Sequence, residues 1–274
     1  VNCLLHLSDP HFGTEQAAVA HALAALVEAE RPAAAVLSGD VTQRATRRQF
    51  ALARAFVDRL ALPRLLVVPG NHDIPLIALA TRALAPYARY RRAFGDDLAP
   101  VVEAPDFLLV GVNTTRWWRH ENGAVSRAQT ARAAQRLARG RPGQLKIVVV
   151  HQPVAVTRRE DHKNLLIGRE QAVRAWAHAG ADLVLGGHIH LPFVLPLHEV
   201  FGALDRRVWC VQAGTALSTR LRADAPNSVN LLRFGGLAAA DSPRRCVVEQ
   251  WDFSARCNAF RCARVHELVL ERNE

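Results

Sequence analysis

Cys3-Leu4-Leu5-His6-Leu7-Ser8-Asp9-Pro10-His11 is a short, mostly apolar run that ends in two side chains of the kind that bind metals. Apolar runs of this length, closed by Gly, Pro or polar residues, read as buried strands. The arrangement recurs. Ala33 to Leu37 leads to Gly39-Asp40, and Leu65 to Val68 leads to Gly70-Asn71-His72-Asp73. Ile147 to Val150 leads to His151, and Leu183 to Leu185 leads to Gly187-His188-Ile189-His190. Asp, Asn and His thus emerge where strands stop, and in open α/β sheets that edge is where ligands bind.

Helical periods fill the intervals. Glu15 to Glu30 sets Val19, Leu23, Leu26 and Val27 on one face, and Thr46 to Leu60 aligns Phe50, Ala53, Val57 and Leu60. Further helices are expected over Leu76 to Phe94, from the Ser126/Gln129 capping box to Gly140, and over Arg169 to Ala179. With a strand at Leu108 to Val112, this alternation implies βαβ units and a largely parallel sheet. Past His190 the rhythm changes. Phe193 to Val200, Arg207 to Gln212, Ser228 to Phe234, Arg245 to Phe253 and Ala263 to Leu270 read as strands joined by turns. The expectation is an α/β fold in one domain over residues 1–274, with a second, mainly antiparallel C-terminal sheet packed on the first.

Half of the 274 residues are apolar, enough for a substantial core. No apolar stretch approaches bilayer length, and no basic segment followed by a long apolar one suggests a leader. Five cysteines, an odd number, fit a reducing cytoplasm. Cys257 and Cys262 lack the partners that would complete a zinc site. The net charge of +10 admits an acidic partner such as nucleic acid. However, Lys146 and Lys163 are the only lysines, and the Ala- and Arg-rich composition without Met resembles a codon-usage bias. The densest arginine cluster, Arg82 to Arg92, reads first as a solvated helix face.

A divalent ion needs carboxylates or neutral imidazoles in a closed shell. A bend at Pro10 lets one strand end offer both Asp9 and His11, and His188 with His190 repeats the device. Asn71 supplies a neutral oxygen, and Asp40, alone after its strand, can bridge two ions. Two ions about 3.5–4 Å apart form a clamp for phosphoryl transfer. The imidazoles favour Mn, Fe, Zn or Co over Mg.

Asp-x-His, Gly-Asp, Gly-Asn-His-Asp, a lone His and Gly-His-x-His, in this order from Ser8 to His190, resemble the calcineurin-like metallophosphoesterases. Single blocks are weak signals; the ordered set, each block at a strand end, is specific. The resemblance implies a two-sheet β-sandwich flanked by helices in four αββα layers. It also implies two transition metal ions, one held by Asp9, His11, Asp40 and His190, the other by Asp40, Asn71, His151 and His188. His72 would then lie near the leaving-group oxygen as a proton donor, with Asp73 orienting its imidazole. A turn or cap residue is the other reading of Asp73. Val41-Thr42-Gln43-Arg44 lacks the Asp-Arg-Gly extension of the protein phosphatase branch, and Asp73 stands where that branch has Glu. The chain is more similar to the bacterial branch of cyclic-nucleotide and glycerophosphodiester hydrolases.

For the substrate, Gln43 and Arg44 follow the bridging carboxylate as phosphate neighbours, and the loop Asn113 to Gly123 offers Arg116 and Arg119 for phosphate, Trp117 or Trp118 for a base, and His120 as a substrate contact or a surface residue. The tryptophans equally suit packing on their own domain or a homodimer contact. Val154 to Gly168, with Arg158, Arg159, His162 and Lys163, reads as a basic rim or as solvated charge. No large insertion separates the blocks, so no deep lipid-binding cap is expected. The expected function is a phosphodiesterase that hydrolyses small phosphodiesters, such as cyclic nucleotides, by attack of a metal-bound hydroxide. A nuclease or phosphomonoesterase is the alternative, and a non-catalytic binding module on the same fold is a more distant one.

Overall fold

The computed structural model describes residues 2–222, 225–235 and 244–272. Among the described residues, twelve strands form two six-stranded sheets. They are β1 (Asn2–Leu7), β2 (Ala34–Leu37), β3 (Leu65–Val67), β4 (Val101–Glu103), β5 (Phe107–Gly111) and β6 (Leu145–Val149), then β7 (Leu183–Gly186), β8 (Phe193–Pro196), β9 (Trp209–Gln212), β10 (Ser228–Phe234), β11 (Arg244–Ser254) and β12 (Ala259–Leu270). The helices are α1 (Ala17–Glu30), α2 (Arg47–Arg59), α3 (Leu79–Leu84), α4 (Ala88–Phe94), α5 (Arg127–Ala138), α6 (Arg169–His178) and α7 (Leu197–Val200).

The first sheet has the order β12-β11-β10-β1-β2-β3 and the second β4-β5-β6-β7-β9-β8. β1, β2 and β3 run parallel, as do β5, β6, β7 and β9. Strand residues alternate between two burials. Leu4, Val36, Ile147, Val149 and Leu185 meet in the layer between the sheets. Leu5, Leu7 and Leu37 face outward onto α1 and α2, and Val148, Val150 and Val184 face α5 and α6. Both faces of each central strand are covered, which is why these strands read as unbroken apolar runs. The four-layer sandwich is the architecture expected from the sequence.

Three local features differ from the sequence reading. The C-terminal strands β10 to β12 are antiparallel as expected, but they extend the N-terminal sheet through the β1–β10 pair instead of forming a sheet of their own. A strand pattern reports burial, not which edge the strand joins. The helix expected from Leu76 to Phe94 is broken between α3 and α4 at Ala85-Pro86, because proline has no N–H for the helix and clashes with the preceding turn. The strand read over Phe193 to Val200 stops at Pro196 and turns into α7. Both capping boxes, Thr46/Gln49 and Ser126/Gln129, are formed. No helix among the described residues is long and apolar enough to cross a membrane.

Candidate metal centre

The parallel strands bring their carboxyl ends to one edge. Asp9 follows β1, Asp40 follows β2, Asn71 follows β3, His151 follows β6 and His188 follows β7. There Asp9, His11 and His190 form one group of donors, and Asp40, His151 and His188 form another. Within each group the donor atoms lie within 4.8 Å of one another. Asp40 faces both: its Oδ1 lies 3.3 Å from His151 Nε2 and its Oδ2 3.7 Å from His11 Nε2. Asn71 Oδ1 lies 3.1 Å from His151 Nε2.

The backbone is strained to achieve this. Nine non-glycine residues among those described have positive φ, and five of them are Asp9, His11, Asp40, His188 and His190. Such a conformation costs about 1–3 kcal/mol per residue and persists where surrounding structure enforces it. Asp and His tolerate it better than most residues. Close approach does the enforcing. A side chain at Gly39, whose φ is +102°, would run into the His151 ring, and one at Gly187 would collide with Ser8 and Asp9.

Hydrogen bonds fix which ring atom faces inward. His151 Nδ1 lies 2.8 Å from the Ser38 carbonyl, and His190 Nδ1 lies 2.6 Å from the Arg220 carbonyl. A carbonyl only accepts, so both Nδ1 atoms carry hydrogen and each Nε2 is left to face the cluster. Asp9 accepts the His188 backbone N–H through Oδ2 at 2.8 Å, while its buried Oδ1 has no hydrogen-bond partner among the described residues. His188 Nδ1 is likewise buried and unpartnered among the described residues.

These donors suit a cation. Neutral His151 would aim a lone pair at oxygens of Asp40 and Asn71, an arrangement that is repulsive unless positive charge lies between them. Burial disfavours a charged His151, but the Asp40 carboxylate outweighs it and pushes His151 up to about 9. Burial also disfavours ionised Asp40, yet His151 and then His72 hold it well below the usual carboxylate range. Burial lowers His11 to about 3 and His188 to about 4, which keeps them as neutral ligand-type imidazoles. Carboxylates, neutral imidazoles and unpartnered buried atoms form a donor set that fits two transition metal ions.

His72 sits at the open side of the cluster, its ring centroid 4.9 Å from that of His11. Its Nδ1 lies 3.0 Å from the Gln43 carbonyl, which requires hydrogen on Nδ1 and leaves Nε2 outward. Asp73, expected to orient this ring, does not. It accepts from the backbone N–H groups of Val41, Thr42 and Gly70 and from Thr42 Oγ1, and so clamps the loop after β2 to the loop after β3. The turn reading of Asp73 is the one that fits.

Of the residues expected to meet substrate, His120 reaches the site, its ring 6.1 Å from His72. Arg116 does not. It is folded back onto the carbonyls of Asn113 and Thr115 and onto Gln129 Oε1, stapling its loop to α5. Trp117 and Trp118 are exposed and pack edge-on against each other at 5.6 Å. Arg44 is exposed at the turn before α2. The sequence reading missed Arg220, whose Nη1 donates to His72 Nε2 at 3.1 Å and to Gln43 Oε1 at 3.2 Å. β9 runs parallel to β7, so the segment after it emerges at the same edge, a pairing that the expected antiparallel C-terminal sheet did not include.

The calcineurin-like phosphoesterase profile matches residues 4–192. The chain belongs to that family. Among proteins of curated function, none matches the sequence significantly. Solved structures share the fold at low identity. A purple acid phosphatase from yellow lupin (Lupinus luteus) superimposes with a TM-score of 0.70 at 12% identity, covering 98% of this chain and 54% of that one. The chain thus spans about half the length of the lupin protein. A dimetal phosphatase from Danio rerio gives 0.64 at 14% identity, with 99% of both chains covered. Vacuolar protein sorting 29 from Cryptosporidium parvum gives 0.50 at 12% identity, covering 98% of each. At such identities the likeness is one of fold.

Proposed function

We propose that this chain is a dinuclear metal-dependent phosphoesterase that hydrolyses phosphodiesters, small ones such as cyclic nucleotides foremost. The observation that carries the reading is Asp40, whose two oxygens face two separate donor groups drawn from both sheets. Asp9, His11, Asp40 and His190 would hold one ion, and Asp40, Asn71, His151 and His188 the other. When bound, two such ions lower the pKa of water and neutralise phosphate charge.

The chain's own residues do the remainder. The Ser38 and Arg220 carbonyls lock His151 and His190 in the tautomer that presents Nε2. The Gln43 carbonyl holds His72 so that Nε2 faces the open side, where a leaving-group oxygen can share a proton with it. The exposed ends of Trp117 and Trp118, in the same loop as His120, offer faces for a nucleobase. The free thiols fit a reducing, cytoplasmic setting.

The test is hydrolysis of bis(p-nitrophenyl) phosphate with added manganese. Asp40→Ala and His188→Ala should abolish turnover; an Asp40→Ala protein as active as the wild type would remove the bridging role. The charge of +10 also supports a polynucleotide substrate within the same chemistry. Activity on oligonucleotides that falls steeply with salt would favour that nuclease reading over cyclic nucleotides. A non-catalytic binding module on the same fold is the more distant reading, and two bound ions without turnover on any ester would be its signature.

A further inference from the structure

Arg220 lies beyond residue 192, outside the stretch that matches the family profile. Its surroundings are unusual for an arginine. Nη1 donates to two neutral acceptors, His72 Nε2 and Gln43 Oε1. Among the described residues its guanidinium pairs with no carboxylate, and Nη2 and Nε make no hydrogen bond. The side chain is exposed, yet its backbone is fixed. The Arg220 N–H donates to Ser218 Oγ, which bonds Thr215 Oγ1, which in turn donates to the Asp9 carbonyl. Two residues on, Arg222 ties the segment to Glu160, Asp161 and the Ile189 carbonyl. This hydrogen-bonded segment therefore holds a cation with no carboxylate partner among the described residues over the open side of the donor cluster, beside His72.

We propose that Arg220 is a substrate-binding residue that contacts a non-bridging oxygen of the phosphoryl group on the side of the leaving group. A guanidinium presents paired donors in the plane that phosphate oxygens prefer, and it keeps its charge at any working pH. The bound phosphoryl oxygen takes the place of His72 Nε2 as acceptor. The ligand class is a phosphate diester or its phosphomonoester product, for which inorganic phosphate serves as the probe, and not a carboxylate ester or an uncharged substrate. This inference rests on the phosphoesterase reading above.

The experiment is calorimetric titration of the manganese-loaded full chain with inorganic phosphate, for the wild type, Arg220→Gln and Arg220→Lys, with metal content measured in each. The wild type should bind phosphate. Arg220→Gln should bind it about 10- to 100-fold more weakly, as expected on losing a hydrogen bond to a charged group. Arg220→Lys should recover part of that loss, and metal content should not change, because only the backbone carbonyl of residue 220 touches His190. Equal phosphate affinity in Arg220→Gln would overturn the role of Arg220 while leaving the phosphoesterase reading intact. Loss of metal from Arg220→Gln would also overturn it and make Arg220 a prop for the cluster. A metal-loaded wild type that binds no phosphate would overturn the role of Arg220, and the phosphoesterase reading falls only if the protein also fails to hydrolyse bis(p-nitrophenyl) phosphate. As a separate readout, Arg220→Ala should regain turnover when guanidinium is added, which a merely structural residue would not allow.

Discussion

His151 Nε2 lies 3.3 Å from Asp40 Oδ1, although the two residues belong to different sheets and both are buried. In the metal-free protein this contact works as an ion pair, with the proton on His151 compensating the carboxylate. His151 is pushed up to about 9 from an ordinary 6.5, Asp40 overcoming the opposing effect of burial. A group raised on folding contributes stability that is complete below its unfolded value and disappears as pH rises through the folded one. Metal-free protein should therefore lose thermal stability between pH 6.5 and 9. A cation at His151 must displace that proton, so stabilisation by added manganese should grow across the same interval. Melting curves with and without manganese check this; parallel pH profiles would contradict it.

Asp73 offers a second test. Four donors converge on its carboxylate from the loops after β2 and β3. Burial, followed by the nearby Asp40 charge, pushes it up to about 7, and those donors pull the other way. Asp73→Ala would strand buried N–H groups and should cost about 2–4 kcal/mol in denaturant unfolding. Unchanged stability with lost turnover would instead assign Asp73 a chemical role.

Arg116 is spent on its own loop. Arg116→Ala should raise amide exchange across residues 113–119 and leave KM unchanged, whereas His120→Ala should raise KM. A large KM effect from Arg116→Ala would mean that the arginine swings out to substrate.

The thiols divide cleanly. Cys3, Cys210 and Cys246 are buried, and burial pushes Cys3 up to about 11 and Cys210 up to about 12. Cys257 and Cys262 are exposed. A thiol reagent at pH 8 should label Cys257 and Cys262 in the native protein and all five after denaturation. Rapid native labelling of Cys210 would show that the layer between its sheet and α6 opens readily.

The motif blocks were legible because each ended a buried strand, and parallel strands leave no choice about which edge their carboxyl ends share. The strain at Asp9, His11, Asp40, His188 and His190 was not legible, since positive φ arises from tertiary packing. His72 was found, but its partner was not: a main-chain carbonyl at Gln43 carries no side-chain signature, and Asp73 was the nearest residue with the right chemistry. Arg116 stood out from its loop and Arg220 did not, for similar reasons. Local sequence shows charge, but only the fold shows that Gln129 and the Asn113 and Thr115 carbonyls accept from one arginine while the other stands over the site.

Anomalous diffraction at the manganese edge from metal-soaked crystals tests the central claim most directly. Two peaks about 3.5–4 Å apart, one on each side of the Asp40 carboxylate, are the predicted result. A single peak that leaves either donor group empty, or peaks only elsewhere on the surface, would contradict it.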